Sequence, residues 1–162
     1  MAKVTNIPEA DHVLRHAKKK HLEWGLDSEG KKAILGCFPD VFKLRDDTEF
    51  IRQHGKPEVS LSVNWIEFFS GDEEKQLQQA VKDFCSIRPI KQCGAFAKLN
   101  VGKLKKVCQE HSAKVRVIHD AERSAIKSHS SITQLPQNNA MLFIDLCELA
   151  FDSLIPATKF PD

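Results

Sequence analysis

The twelve residues Ser60-Leu-Ser-Val-Asn-Trp-Ile-Glu-Phe-Phe-Ser-Gly71 restrict the fold of this chain more than any other stretch. From Val59 to Asn64 apolar and polar residues alternate. A strand there puts Leu61, Val63 and Trp65 on one face and Ser60, Ser62 and Asn64 on the other. Directly after the aromatic group, Ser70-Gly-Asp-Glu73 has the S-x-x-E form of a capping box. Leu77, Ala80, Val81 and Phe84 follow at i, i+3, i+4 and i+7, the spacing of one apolar helix face. The pattern predicts a strand, a sharp junction and a helix over about residues 72–86.

Strand and helix signals continue toward the C-terminus. Residues 94–99 read as a strand, Asn100 as an N-cap, residues 101–112 as a helix, and residues 114–119 as another strand. After a polar, irregular stretch over 120–136, a terminal helix is expected over about 138–154. Its Met141, Leu142, Ile144, Leu146, Leu149, Ala150 and Phe151 wrap most of its surface, which predicts burial in a groove or against a partner. Before the central strand come a turn-like lead-in, a short strand from His12 to His16, and strand segments at 33–38 and 41–45 split by Pro39-Asp40. Residues 17–32, pinned to the core by Leu22, Trp24 and Leu26, and residues 46–58 read as exposed excursions, with a single helical turn in the second, and 156–162 as a tail. The expected architecture is α+β: one domain over 1–162, with a mixed sheet of five to six short strands and three main helices. The run from Val59 to His119 predicts two right-handed parallel crossovers.

Composition removes several function classes. The chain has ten Phe and no Tyr, so no tyrosine acid, base or nucleophile exists. Five cysteines (Cys37, Cys85, Cys93, Cys108, Cys147) form no C-x-x-C, which argues against a disulfide framework or a zinc ribbon. No apolar run approaches the ~20 residues of a membrane span, and no signal-peptide core stands at the N-terminus, so a cytoplasmic location is expected. The net charge of +2 is too small to argue for nucleic acid by itself. Lysines nonetheless cluster at Lys18 to Lys20, at Lys31 and Lys32, and at Lys103, Lys105 and Lys106.

No P-loop, G-x-G-x-x-G, G-x-S-x-G or H-E-x-x-H is present, and no cofactor is expected. Histidine offers the best raw material. His119 ends a strand, His129 lies in Ser128-His-Ser-Ser131, and His12 and His16 flank the first strand. Such imidazoles supply a general base near neutral pH or, with Asp11 or Asp120, ligands for a divalent ion. Their spacing matches no ligand signature, so no metal is assigned. The candidate catalytic residues are His119, His129, His12, Arg15 and Ser62. Asn64, Trp65 and Lys103 are the candidate binding residues; Lys103 belongs to Asn100-Val-Gly-Lys103, where a helix opens after a strand and backbone N–H groups suit an anion. Trp65, Phe68 and Phe69 read as core, or as an aromatic platform for a base or peptide.

Several segments together resemble a group of small bacterial proteins that carry no assigned activity. They are Ala10-Asp-His-Val-Leu-Arg15, Val41-Phe-Lys-Leu-Arg45, Leu61-Ser-Val-Asn-Trp-Ile-Glu-Phe-Phe69, Gly94-Ala-Phe-Ala-Lys-Leu-Asn-Val-Gly102, and Val115-Arg-Val-Ile-His119 with Ser128-His129. The likeness spans about residues 8–135. Residues 46–58 and Ala121-Glu-Arg-Ser-Ala125 depart from the pattern. The resemblance implies a bacterial, cytoplasmic, single-domain protein and no reaction.

Two functions follow as expectations. The first is a non-enzymatic binding or accessory protein of a bacterial complex, joined to a protein partner or a second copy through the C-terminal helix. The second is a small nucleotide- or nucleic-acid-processing enzyme with a histidine pocket. Nucleic-acid binding by lysines alone requires Lys18 to Lys20 and Lys103 to Lys106 on one face.

Overall fold

The computed structural model describes residues 4–86, 94–120 and 126–160. Among these residues the chain has an α+β fold. Its N-terminal half contains β1 (Thr5–Asn6), β2 (His12–Ala17), β3 (Leu22–Leu26), β4 (Lys32–Cys37), α1 (Thr48–His54), β5 (Leu61–Trp65) and α2 (Glu73–Cys85). The rest contains β6 (Ala95–Asn100), α3 (Val101–Glu110), β7 (Arg116–His119), β8 (His129–Thr133), α4 (Ala140–Asp145) and β9 (Phe151–Pro156). Seven strands make one sheet in the order β1-β7-β8-β5-β2-β6-β9, and β3 pairs with β4 as a separate hairpin.

All of these pairings are antiparallel, against the expectation of a mixed sheet with parallel crossovers. β5, β6 and β7 do run in one direction. They never touch, because β2 lies between β5 and β6 and β8 lies between β5 and β7. The first insertion is β2, which pairs with β5 on one edge and β6 on the other and buries Val13, Leu14 and Ala17 under the two covered faces. The second was hidden in the stretch expected to be irregular. Its sequence His-Ser-Ser-Ile-Thr lacks an apolar alternation, and Ser130 and Ser131 are buried as hydrogen-bonded hydroxyls instead.

The sheet is covered on both faces. On one, α2 packs Ala80 and Val81 against Leu14, Ile66 and Phe96. On the other, α3 and α4 bring Leu104, Val107, Leu142 and Phe143 onto Val13, Leu61, Val63 and Leu99. The β3–β4 hairpin adds Leu22, with Trp24 and Ile34 packed beside it, while Leu26 stays exposed, so the excursion is a paired arm held to the core by two of its three apolar residues.

Other segments also differ from expectation. Residues 39–42 form a 3-10 turn, where Pro39 cannot donate to a ladder and Phe42 is buried against Phe143 and Phe151. Two helical turns form at α1, capped by Asp47 accepting from the Phe50 N–H and closed by Gly55 at φ 80°. At α2 the cap is Asp72, which accepts from the Lys75 N–H, and not Ser70; a carboxylate there also suits the helix dipole. The terminal helix stops at Asp145, continues as one wider π turn over Leu146–Ala150, and becomes strand β9. Its apolar breadth is thereby explained by two different elements. Leu142, Phe143, Leu146 and Ala150 are buried in the chain's own core, while Met141, Ile144 and Leu149 stay exposed. Of the tail, Ala157 is buried and Phe160 packs against Phe96. Residues 161–162, Cys93 and Ala121-Glu-Arg-Ser-Ala125 lie outside the described residues.

Candidate functional site

β2 is fully paired with β6, from His12↔Asn100 to Ala17↔Ala95. With β5 it pairs only at Val13↔Trp65 and Leu14↔Asn64. Beyond these two positions the strands part, and the Arg15 guanidinium bridges the gap. Its Nη1 donates to the Ser62 carbonyl oxygen at 2.9 Å and its Nε to the Val41 carbonyl oxygen at 3.2 Å. A side chain thus replaces the missing rungs of the ladder, and a cleft of about 830 Å³ opens beside it.

The cleft is strongly basic. Arg15, Lys18, Lys20, Lys43, Arg45 and Lys56 line it, with Glu58 as the one lining carboxylate among the described residues. These cations come from three separate segments, the end of β2 and the turns on either side of α1. Arg45 also pairs with Asp47 at the rim, at 3.0 Å. His21, another lining residue, senses the surroundings. Burial, then the charges of Arg15, Lys20 and Lys18, push its pKa down to about 4. The Lys18 N–H also donates to its Nδ1, at 3.2 Å, which fits a neutral ring. Aromatic groups interleave with the charges: the Phe50 and His54 ring centroids lie 4.2 Å apart with the planes tilted by 30°, and the Arg45 guanidinium is 5.1 Å from the Phe50 ring. A concave surface of one sign concentrates ligands of the other.

At the floor, Ser62, Asn64 and His129 lie on the α2 side of the sheet, since Asn64 is opposite His129 and Ser62 opposite Ser131 in the β5–β8 ladder. The His129 Nδ1 is 2.7 Å from Asp120 Oδ1, and its Nε2 is 3.4 Å from Ser62 Oγ. Asp120 is buried and accepts the Ser131 hydroxyl at 2.6 Å, so its position is fixed. An ionised Asp120 places the imidazole proton on Nδ1 and leaves Nε2 as an acceptor facing Ser62. Behind them Asn64 donates to Ser128 Oγ at 2.9 Å. Asp83 of α2 in turn accepts from both the Ser128 hydroxyl and its backbone N–H.

Arg15, Ser62, Asn64 and His129 are therefore brought together among the residues picked from the sequence. The others go elsewhere. His12 sits between two carboxylates, with Nδ1 2.7 Å from Glu67 and Nε2 3.0 Å from Asp152. Lys103 completes that cluster at 2.8 Å from Asp152. Burial works against the charge of Asp152, yet Lys103 and then His12 hold its carboxyl below the usual range. His119 is on the face opposite His129, its ring packed on Trp65 and Phe68 and its Nε2 2.9 Å from the Lys127 carbonyl oxygen. Trp65 donates to Asp11 at 2.9 Å and packs on the core.

The start of α3 is closed to anions. The Val101, Gly102 and Lys103 N–H groups already donate to Asp11, Glu9 and the Asn100 side chain. The Lys103, Lys105 and Lys106 cluster borders a shallow depression of its own, away from Lys18 and Lys20. Among the described residues no group of three or more His, Cys, Asp and Glu side chains is placed to hold a metal ion, and no helix is long and apolar enough to cross a membrane.

Lys43, Arg45, His54 and Lys56 were not singled out from the sequence. Lys43 and Arg45 read as members of a strand segment and His54 and Lys56 as parts of an exposed connection; only the return of residues 43–58 past β2 makes them neighbours.

Fold and site together define an antiparallel α+β protein with an open cationic cleft over a Ser62–His129–Asp120 array. Compared with known proteins, the chain matches no family model, no curated protein and no solved structure.

Proposed function

We propose that this protein is a small enzyme acting on a nucleotide or nucleic acid, whose phosphates sit in the basic cleft and whose proton transfers run through His129. The observation that carries this reading is the charge of the cleft: among the described residues six cations and one carboxylate line the space that His129 faces. Arg15 supplies a planar, permanently charged donor set suited to phosphate oxygens. Phe50 and His54 supply ring faces on which a base stacks. Asp120 holds the His129 ring in one tautomer, as a proton-transfer group requires. The test is turnover of a panel of phosphomonoesters, nucleotides and single-stranded oligonucleotides. His129→Asn is expected to lower kcat by roughly 10²–10⁴ and leave KM close to wild type. Binding without turnover of any of them would reduce the protein to a binding module.

A second reading, a non-enzymatic accessory protein of a larger complex, is favoured by Met141, Ile144 and Leu149, which are exposed along α4 and the turn after it. Sedimentation of the chain alone tests self-association, where a monomer at all concentrations speaks against a homo-oligomer.

A further inference from the structure

We infer that Ser62 is a nucleophile and that the enzyme works through a covalent phosphoseryl intermediate; this rests on the phosphate-binding reading of the cleft. Three observations lead there. The Ser62 hydroxyl faces His129 Nε2 at 3.4 Å, a separation within the slack of a nucleophile–base pair before substrate binds. The far nitrogen of the same ring is held at 2.7 Å by Asp120, whose side chain is 5% exposed, so a buried carboxylate stands ready to stabilise the imidazolium. The Arg15 guanidinium donates to the Ser62 carbonyl oxygen at 2.9 Å and lines the same cleft, so it fixes the backbone that carries the nucleophile. The surrounding charge selects phosphorus esters over neutral acyl esters.

In the first step Ser62 Oγ bonds to phosphorus as the bond from phosphorus to the leaving oxygen breaks. The hydroxyl proton passes to His129 Nε2 and from there to the departing alcohol. In the second step water attacks the phosphoserine and gives its proton to His129. That proton returns to Ser62 Oγ as the seryl–phosphorus bond breaks. Serine and a phosphate product are left, and no redox partner or metal is required for the balance.

The test is labelling of the full chain with a fluorophosphonate probe, read by intact mass and peptide mapping, with oligonucleotide affinity measured on the same preparation. One probe per chain on Ser62 is expected. Labelling should be absent in Ser62→Ala and slower by roughly a hundredfold in His129→Asn, with circular dichroism confirming that both variants fold. No adduct on Ser62 of the wild-type chain, or a labelling rate indifferent to His129→Asn, overturns the inference. If oligonucleotide still binds in that case, the nucleophile alone is wrong; if it does not, the phosphate cleft is wrong as well.

Discussion

Two regions of this molecule pair a histidine with carboxylates at similar distances, and they differ in what surrounds the pair. Around His12 the charged groups are packed against one another: Glu67 and Asp152 face the ring, and Lys103 pairs with Asp152. Around His129 the paired carboxylate, Asp120, is buried behind the ring, and cations gather around an open volume in front of it. The first arrangement ties β2 to the 3-10 turn after β5 and to β9. The second leaves a cleft whose lining is predominantly cationic among the described residues. A histidine–carboxylate pair is therefore not the mark of a site in this fold; an excess of one sign of charge around open space is.

The widest separation between the two regions should come from charge reversal. Lys18→Glu with Lys20→Glu and Lys43→Glu is expected to weaken single-stranded oligonucleotide binding by roughly a hundredfold, with little change in melting temperature. Lys103→Glu should leave that affinity within about twofold of wild type. Equal losses from both would erase the distinction.

Next comes stability. His12→Ala leaves the Glu67 and Asp152 carboxylates without the group between them and is expected to cost about 1–3 kcal/mol, a drop of roughly 2–10 °C in melting temperature. Oligonucleotide affinity should not move.

Trp65→Phe removes the indole donor to Asp11 and keeps the ring packing, for an expected loss of about 1 kcal/mol in denaturant unfolding. A loss in turnover larger than that in stability would place Trp65 in the site after all.

The smallest effect is in pH. The folded-state pKa of His21 is lowered from 6.5 to about 4, so its contribution to stability is present above 6.5 and is lost as pH falls toward 4. His21→Asn should flatten that part of the stability profile. Bound phosphate should raise the His21 pKa, visible in its ring proton shifts. An unchanged titration would mean that the anion does not enter the cleft.

How much was legible beforehand follows the same division. The central strand and its helix were readable because Leu61, Val63, Leu77 and Val81 obey simple periodicities. The Asn100 cap was readable because an Asn before an apolar helical pattern has few other uses. Strand β8 was not, since buried serines satisfied by Asp120 and the Ser128 carbonyl carry no hydrophobic signal. Strand β9 was masked by the helical pattern running into it, where Phe151 continues a spacing whose backbone has already changed. Of the site, Arg15, Ser62, Asn64 and His129 were legible as polar groups on or beside sheet strands. Lys43, Arg45 and Lys56 were not, because their convergence depends on how a long connection returns past β2.

The central claim is that the cleft holds a polyanion, and the most direct measurement is the affinity of a labelled single-stranded oligonucleotide as a function of salt. With four phosphates engaged, log affinity should fall against log salt with a slope of about −3, some fiftyfold between 50 and 200 mM, and the Lys18/Lys20/Lys43 variant should flatten it. Absence of binding at low salt, or an affinity indifferent to salt, would contradict the account.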